Sequence, residues 1–489
     1  MTAPVVLRGV HAPGDDRALD VRLAGGVVAA VAEAGTDRDL VRAGDDVVPA
    51  TGATVLPGLV DAHVHWSQWA EARRRVDVGA ARSPEEAATI MAAAAPAATG
   101  LVVGHGFRAA LWSRPPHRDL LERAAPGVPI ALVSDDLHAV WLSPAALARL
   151  GRTHPTGLLR EQEGMALQAA LSGAPDPAEL DRWVADASAA AAARGLTGVV
   201  DFEYADTVAA WARRAAAGPL TLRVRTAVWE PWLDATAARG QRGGDVVDGT
   251  EGLVRVGPFK ILADGSLNTR TAACHHPYPD PADGHGALNL EPGDLRALMA
   301  RAVDQGLVPA VHAIGDRANA VVLDAFEQLG TSGRIEHAQL VAPRDVPRFA
   351  RAGVVASVQP RHLVDDRDVA ERHWPHVTAR AFPYADLVAA GTRLVLGSDA
   401  PVAPPDPWAA IAAAVARTGE ERPPWHPEQA LDVGTALRAS CGGRLALRLG
   451  EPADVVLLGA DPLHADVATL REMPVLATLL AGRFTHRTV

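Results

Sequence analysis

Eight short runs rich in β-branched residues mark out the middle of this chain, at 59–65, 197–202, 221–228, 254–262, 307–313, 333–337, 354–359 and 393–399. Most are separated by an amphipathic helical run, such as Pro292 to Gln305 or Arg317 to Leu329. Strands that alternate with helices pair in parallel, because each helix carries the chain back across the sheet. Eight of them is the count of a closed barrel, so the expected class is α/β, a (β/α)8 TIM barrel. A doubly wound open sheet would want a glycine-rich phosphate loop after its first strand. Gly104-His-Gly106-Phe-Arg-Ala109 matches that fingerprint loosely, and nothing resembling the required βαβ context with a ribose-binding acid follows it.

The flanks read differently. Val5 to Val10, Asp20 to Leu23 and Val27 to Val31 alternate in the strand manner, with Gly25-Gly26 as a hairpin signal between the last two. This is expected to be a small antiparallel sheet. Strand-like runs return at Ala453 to Leu458 and Val475 to Gly482. Residues 1–57 plus 430–489 are therefore expected to form one composite β-sandwich domain beside a barrel over 58–429. Residues 66–195 are too long for a simple connection and hold their own runs, Leu101 to Gly104 and Pro129 to Val133. They are read as an insertion after the first barrel strand, a subdomain or lid over the barrel mouth.

Composition narrows the function. A net charge of -11 argues against a nucleic-acid surface. No window offers the ~20 uninterrupted apolar residues of a membrane span. Met1 to Pro4 runs straight into Val5-Val6-Leu7 without the regions of a signal peptide, and two cysteines cannot make a disulfide framework. A cytoplasmic protein acting on a small molecule is expected. A homodimer is a habit of the fold class, which these residues do not decide.

The chemistry starts at Val60-Asp-Ala-His63-Val-His65. On a strand, i and i+2 share a face roughly 6–7 Å apart, so two imidazoles can reach one metal ion. In isolation, two strand histidines near a surface explain the pattern equally well. The other strand ends add Lys260, His312, His337 and Asp399. In an eightfold barrel these ends converge on one mouth. Buried charge without partners is expensive, and a metal centre would stabilise such a cluster.

These motifs resemble the amidohydrolase superfamily, and within it the YtcJ-like metal-dependent hydrolases, which include N-substituted formamide deformylases. The matching stretches are Leu56 to His65, Lys260 to Ser266 with Arg270-Thr-Ala272, His312 to Ala318, Arg334 to Ala338 and Gly397 to Pro401. The resemblance implies that His63, His65 and Asp399 bind the more buried metal, and that His312 and His337 bind a second. Lys260 stands where related binuclear enzymes carry a carboxylated lysine, whose two oxygens bridge two cations; the alternative is an ammonium paired with Asp264 or Asp399 beside one metal. One or two zinc ions are expected, although imidazole and carboxylate also suit iron, manganese or cobalt. The implied reaction is hydrolysis of a C–N bond in an amide, formamide or N-acyl compound, with Asp399 passing a proton from water to the leaving nitrogen.

Weaker candidates surround this set. Arg270 is suited to a substrate carboxylate or carbonyl, or to a loop-ordering ion pair. His138 lies in the insertion, in a stretch like one that faces the active site in the YtcJ-like branch. Trp66 and Trp69 suit an apolar substrate wall or plain loop packing equally; Asp264 and Arg361 are candidates for substrate contacts, and His362 beside Arg361 likewise. Asp316 reads as a helix N-cap, and Cys274-His-His276 as a loop. Two further readings stay open. A mononuclear aminohydrolase would want a glutamate shortly after His312, where this chain has Asp316. A non-catalytic binding protein would want a ligand position lost, and all are filled.

Overall fold

The computed structural model describes residues 3–37, 39–95, 100–171, 176–419 and 422–489. Eight parallel strands pair in chain order: β1 (Leu59–Val64), β2 (Leu196–Asp201), β3 (Arg223–Trp229), β4 (Val254–Leu262), β5 (Pro309–Ala313), β6 (Arg334–His337), β7 (Val355–Val358) and β8 (Leu394–Leu396). The barrel closes where the chain beyond β8 meets β1. Val64 bridges Ala400, the Asp399 N–H donates to His63 O at 2.7 Å, and the His65 N–H donates to Ala400 O at 2.7 Å. Gly397 makes this seam passable, because a Cβ there would lie 2.7 Å from the His63 backbone nitrogen and 2.9 Å from the His63 Cβ.

The outer helices bury one face each. In Asp316–Leu329, Val322, Leu323 and Phe326 turn onto the sheet, and Gly330 ends the helix at φ 60, a left-handed geometry that glycine adopts freely. The strand interiors, among them Val224, Val256, Phe259, Val311 and Ile335, belong to one continuous core with those helices. No helix among the described residues is long and apolar enough to cross a membrane.

The insertion builds a five-stranded sheet of its own, in the order Leu158–Arg160, Ala139–Leu142, Ile130–Ser134, Val102–Phe107, Val76–Asp77. Phe107, Trp112 and Trp141 meet in its core, with ring centroids 5.8 to 6.2 Å apart. It reaches the barrel mouth through side chains: Ser266 Oγ donates to Asp136 Oδ2 at 3.0 Å, and Thr271 Oγ1 to Glu161 Oε1 at 2.9 Å.

Both ends of the chain share the remaining sheet, where Val455–Leu458 runs antiparallel to Thr54–Pro57, pairing Val456 with Leu56. Its two faces separate cleanly: Val455 and Leu457 enter the sandwich core, while Val456 and Leu458 join the barrel core. Three details differ from the expectation. The N-terminal sheet is not wholly antiparallel, because Asp46–Pro49 lies parallel to Val5–His11, with the hairpin of Ala18–Ala24 and Val27–Glu33 in the crossover between them. Helix Val433–Ser440, placed by the expected boundary at 430 in the sandwich, buries Ala436 and Leu437 in the barrel core. A last strand, Arg483–Arg487, was not anticipated; it has only Phe484 to signal it.

Gly397→Ala is expected to destabilise the fold by about 1–3 kcal/mol, since the nearest atom met is a backbone nitrogen and the next is the Cβ bonded to that residue's backbone, neither of which can swing aside. Urea denaturation checks this; an unchanged midpoint would mean that the seam is slacker than drawn.

Candidate metal centre

Several strand ends deliver polar side chains to the mouth: His63 and His65 from β1, Lys260 from β4, His312 from β5, His337 from β6 and Asp399 from the turn after β8. His63, on β1, is fully buried, and its Nδ1 lies 2.7 Å from Glu336 Oε2. A carboxylate accepts, so Nδ1 carries the proton and Nε2 keeps its lone pair. Lys260 Nζ stands 3.3 Å from that Nε2 and 4.6 Å above the Phe202 ring. Asp399 Oδ1 lies 3.5 Å from His63 Nε2 and 3.4 Å from His65 Nε2. Two ligands each about 2.1 Å from one zinc at the tetrahedral angle stand about 3.4 Å apart, so this spacing fits a shared cation.

A second group converges on the same carboxylate. One donor atom each from His337, His362 and Asp399 lies within 4.8 Å of the others, and His362 Nε2 is 3.9 Å from Asp399 Oδ2. The His337 and His362 rings lie nearly parallel, 6.0 Å apart. His337 Nδ1 and His362 Nε2 are buried without a hydrogen-bond partner among the described residues, an expensive state that a cation would relieve. His312 packs its ring 4.6 Å from that of His337, but its Nε2 donates to Gly265 O at 3.1 Å. The pair expected for a second metal, His312 with His337, is thus drawn as His337 with His362, while His312 is turned toward a loop carbonyl.

Protonation favours ligation. Burial, with the Lys260 charge beside it, lowers His63 to about 4; burial lowers His312 to about 3 and holds His337 well below its usual value. Burial alone would raise Asp399, but His63, His65 and His337 outweigh it and hold the carboxyl well below the usual range. Glu336 behaves alike: burial opposes ionisation, and Arg334, His63 and Lys260 overcome it. Burial pulls Lys260 down to about 8. Neutral imidazoles and ionised carboxylates are the forms that bind divalent metals, so the residues present fit such an ion.

Two backbone positions make this possible. His337 has φ 75 and Asp399 φ 60, left-handed values rare outside glycine. Consecutive strand residues otherwise face opposite ways. The turn at His337 lets Glu336 and His337 both serve the centre.

The sequence model of the amidohydrolase family matches residues 46–486. The chain belongs to the Amidohydrolase family. It is 28% identical to the putative amidohydrolase YtcJ of Bacillus subtilis over 89% of both chains. It is also 28% identical to the N-substituted formamide deformylase of Arthrobacter pascens over 94% of both. Among solved structures, an uncharacterized metal-dependent hydrolase from Pyrococcus horikoshii shares the fold at a TM-score of 0.79 and 24% identity, covering 95% of this chain and 99% of that one.

In this amidohydrolase, the weaker sequence candidates scatter. His138 donates from Nδ1 to the Asp136 carbonyl at 2.6 Å, and Asp136, Glu161 and Asp399 outweigh burial to raise its pKa. Trp66 does not form a substrate wall: it is fully buried in the barrel core, with Nε1 donating to Ser188 Oγ, because the helix after β1 turns it inward. Trp69 is half-buried beneath Arg73. Asp264 is not open to substrate either; its oxygens accept the backbone N–H groups of Ala273, Ile314 and Gly315. Arg361 faces Asp365 at 3.4 Å, one helical turn on, and Arg270 pairs with Asp283 at 2.5 Å. Asp316 is the first helical residue rather than the cap, and it accepts the His275 N–H at 2.8 Å. Cys274 to His276 form a loop with a buried thiol.

Two contributions escaped the sequence reading. Glu336 lies in the Arg334 to Ala338 stretch, where a carboxylate two residues from an arginine and next to a ligand candidate is the signal for it. His362 was read only as a substrate contact.

The depressed histidines set an acid limit on the metal-free fold. An unfolded chain protonates them near 6.5, the folded one only near 4 or below. Between these values the unfolded state binds more protons, so stability is complete above 6.5 and falls as pH drops toward 4. Urea midpoints of metal-free protein should decline through that window, and less steeply in a His63→Gln, His312→Gln double variant. Parallel declines would assign the effect elsewhere.

Proposed function

We propose that this protein hydrolyses the C–N bond of a small N-acyl or N-formyl amine, with zinc or a similar divalent cation held by His63, His65 and Asp399 and a second near His337 and His362. A divalent cation there supplies an ionised water near neutral pH and polarises a carbonyl oxygen. One observation carries the reading: the Asp399 carboxylate, held as an anion, reaches both donor groups, with Oδ1 toward His63 and His65 and Oδ2 toward His362.

The chain's own groups divide the work. Glu336 fixes the His63 tautomer, so that Nε2 faces the centre. Asp399 accepts the proton lost by the attacking water and returns it to the departing nitrogen, which must leave as a neutral amine. Burial around Lys260, His312 and His337 excludes bulk water and strengthens each electrostatic contact. Lys260 directs a positive charge at the lone pair a cation would share. Two such charges repel, which favours the neutral or carboxylated lysine in the loaded enzyme; lowering the pKa to about 8 raises the fraction of neutral amine that can add carbon dioxide.

The aminohydrolase reading gains no support. The residue after β5 that would have to serve it, Asp316, is fully buried, with Oδ1 on the His275 N–H.

Metal analysis of the purified protein with a screen of N-formyl and N-acyl amines tests the assignment. One to two metals per chain and released amine are expected, with turnover lost on chelation and restored by zinc or cobalt. Release of ammonia from a ring would favour the aminohydrolase. Asp399→Asn should keep the fold and lower kcat by about 100-fold or more; activity near wild type would remove Asp399 from the proton path. Bicarbonate during reconstitution should raise metal content in wild type but not in Lys260→Gln. No bicarbonate effect would leave Lys260 a plain amine.

A further inference from the structure

We propose that the cavity between the insertion and the loop after β4 is an anion subsite, in which Arg160 recognises a carboxylate borne by the N-acyl or N-formyl substrate. The proposal rests on the C–N hydrolase reading and names the class of compound that it acts on.

The cavity measures about 340 Å³, the size of a small-molecule site. Phe107, Trp112 and Leu158 of the insertion give it apolar wall. None of the metal-site side chains lines it, but it borders their loop. Asp136 in the wall accepts from Ser266 Oγ, and the neighbouring Gly265 carbonyl holds His312. A substrate presenting its carbonyl at the barrel mouth would have its far end on this side.

Charge identifies what that end carries. Five guanidiniums line the cavity, and four have partners: Arg108 lies between Asp135 at 3.0 Å and Asp365 at 3.3 Å, Arg114 is on Glu85, Arg270 on Asp283, and Arg372 on the Ala110 carbonyl. Arg160 makes no hydrogen bond or ion pair among the described residues. It ends an insertion strand at the exposed rim of the cavity, with the like charge of Arg270 nearby and the carboxylates of Asp283, Glu161 and Asp136 acting on it only from beyond ion-pair distance. The carboxylates around it are engaged elsewhere: Asp283 with Arg270, and Glu161 with the Thr271 hydroxyl. Asp135 is taken by Arg108, and Asp136 by Ser134, His138 and Ser266. A guanidinium binds a planar monoanion in a two-pronged fashion. Asp135 and Asp136 would repel a dianion such as phosphate, so a carboxylate fits best.

The test compares N-formyl-L-phenylalanine with N-formyl-2-phenylethylamine, which lacks only the carboxylate. Calorimetry on metal-loaded Asp399→Asn protein measures binding, and amine release by wild type measures hydrolysis. The acid should bind about tenfold tighter or more. Adding Arg160→Gln should bring the ratio near one, and Arg160→Lys should restore part of it. High salt should weaken the acid alone, a check that needs no variant at Arg160. Equal binding, no binding of the acid, or a ratio that survives Arg160→Gln overturns the proposal. A retained ratio without hydrolysis would sink the C–N reading and leave the subsite standing; hydrolysis of both probes without charge preference would do the reverse.

Discussion

The centre depends on one buried chain of charge that crosses three strands. Arg334 Nε donates to Glu336 Oε1 at 2.8 Å, and its Nη2 donates to the Ala62 carbonyl and to Ser357 Oγ, each at 2.8 Å. Glu336 Oε2 then takes the His63 Nδ1 proton. The guanidinium is thus tied to β1, β6 and β7 together, and the orientation of the first imidazole is set from the far side of the barrel. Burying either charge alone would be costly; paired and hydrogen-bonded, they define one geometry. Substituting a partner here would unsettle ligand direction before it unsettled the barrel.

Local strain sits on top of this frame. The left-handed backbone at His337 and Asp399 costs on the order of 1–3 kcal/mol at each residue. The crowding of His63, His312, His337 and Lys260 adds a burial penalty, visible in the downward shift of every one of their pKa values. The continuous core of strand and helix residues around them offsets both. Stability is surrendered at the mouth and recovered in the wall.

The strands were legible because barrel strands buried on both faces read as unbroken apolar runs. The run expected at 254–262 is β4, and the others agree to within a few residues. The largest difference, 393–399 against Leu394–Leu396, is itself informative: the chain leaves the ladder to carry Ser398 and Asp399 round a left-handed turn. Strand ends converge by topology, so residue order alone groups the side chains that follow them at one end of the barrel. Directions beyond a strand end are another matter. Trp66 follows His65 by one place yet enters the core, and His362 reaches Asp399 only through the short helix Pro360–Asp365. Such outcomes hang on a single turn of backbone, which residue type does not encode.

The pairing of Val455–Leu458 with Thr54–Pro57 has a consequence in time. Thr54–Pro57 runs almost directly into β1, the strand that bears His63. During synthesis, that early segment must wait for a partner made near the end, and closing so long a loop is entropically slow. A nascent chain can stack its middle strands first, but the histidine-bearing edge gains its last support only when the late segment arrives.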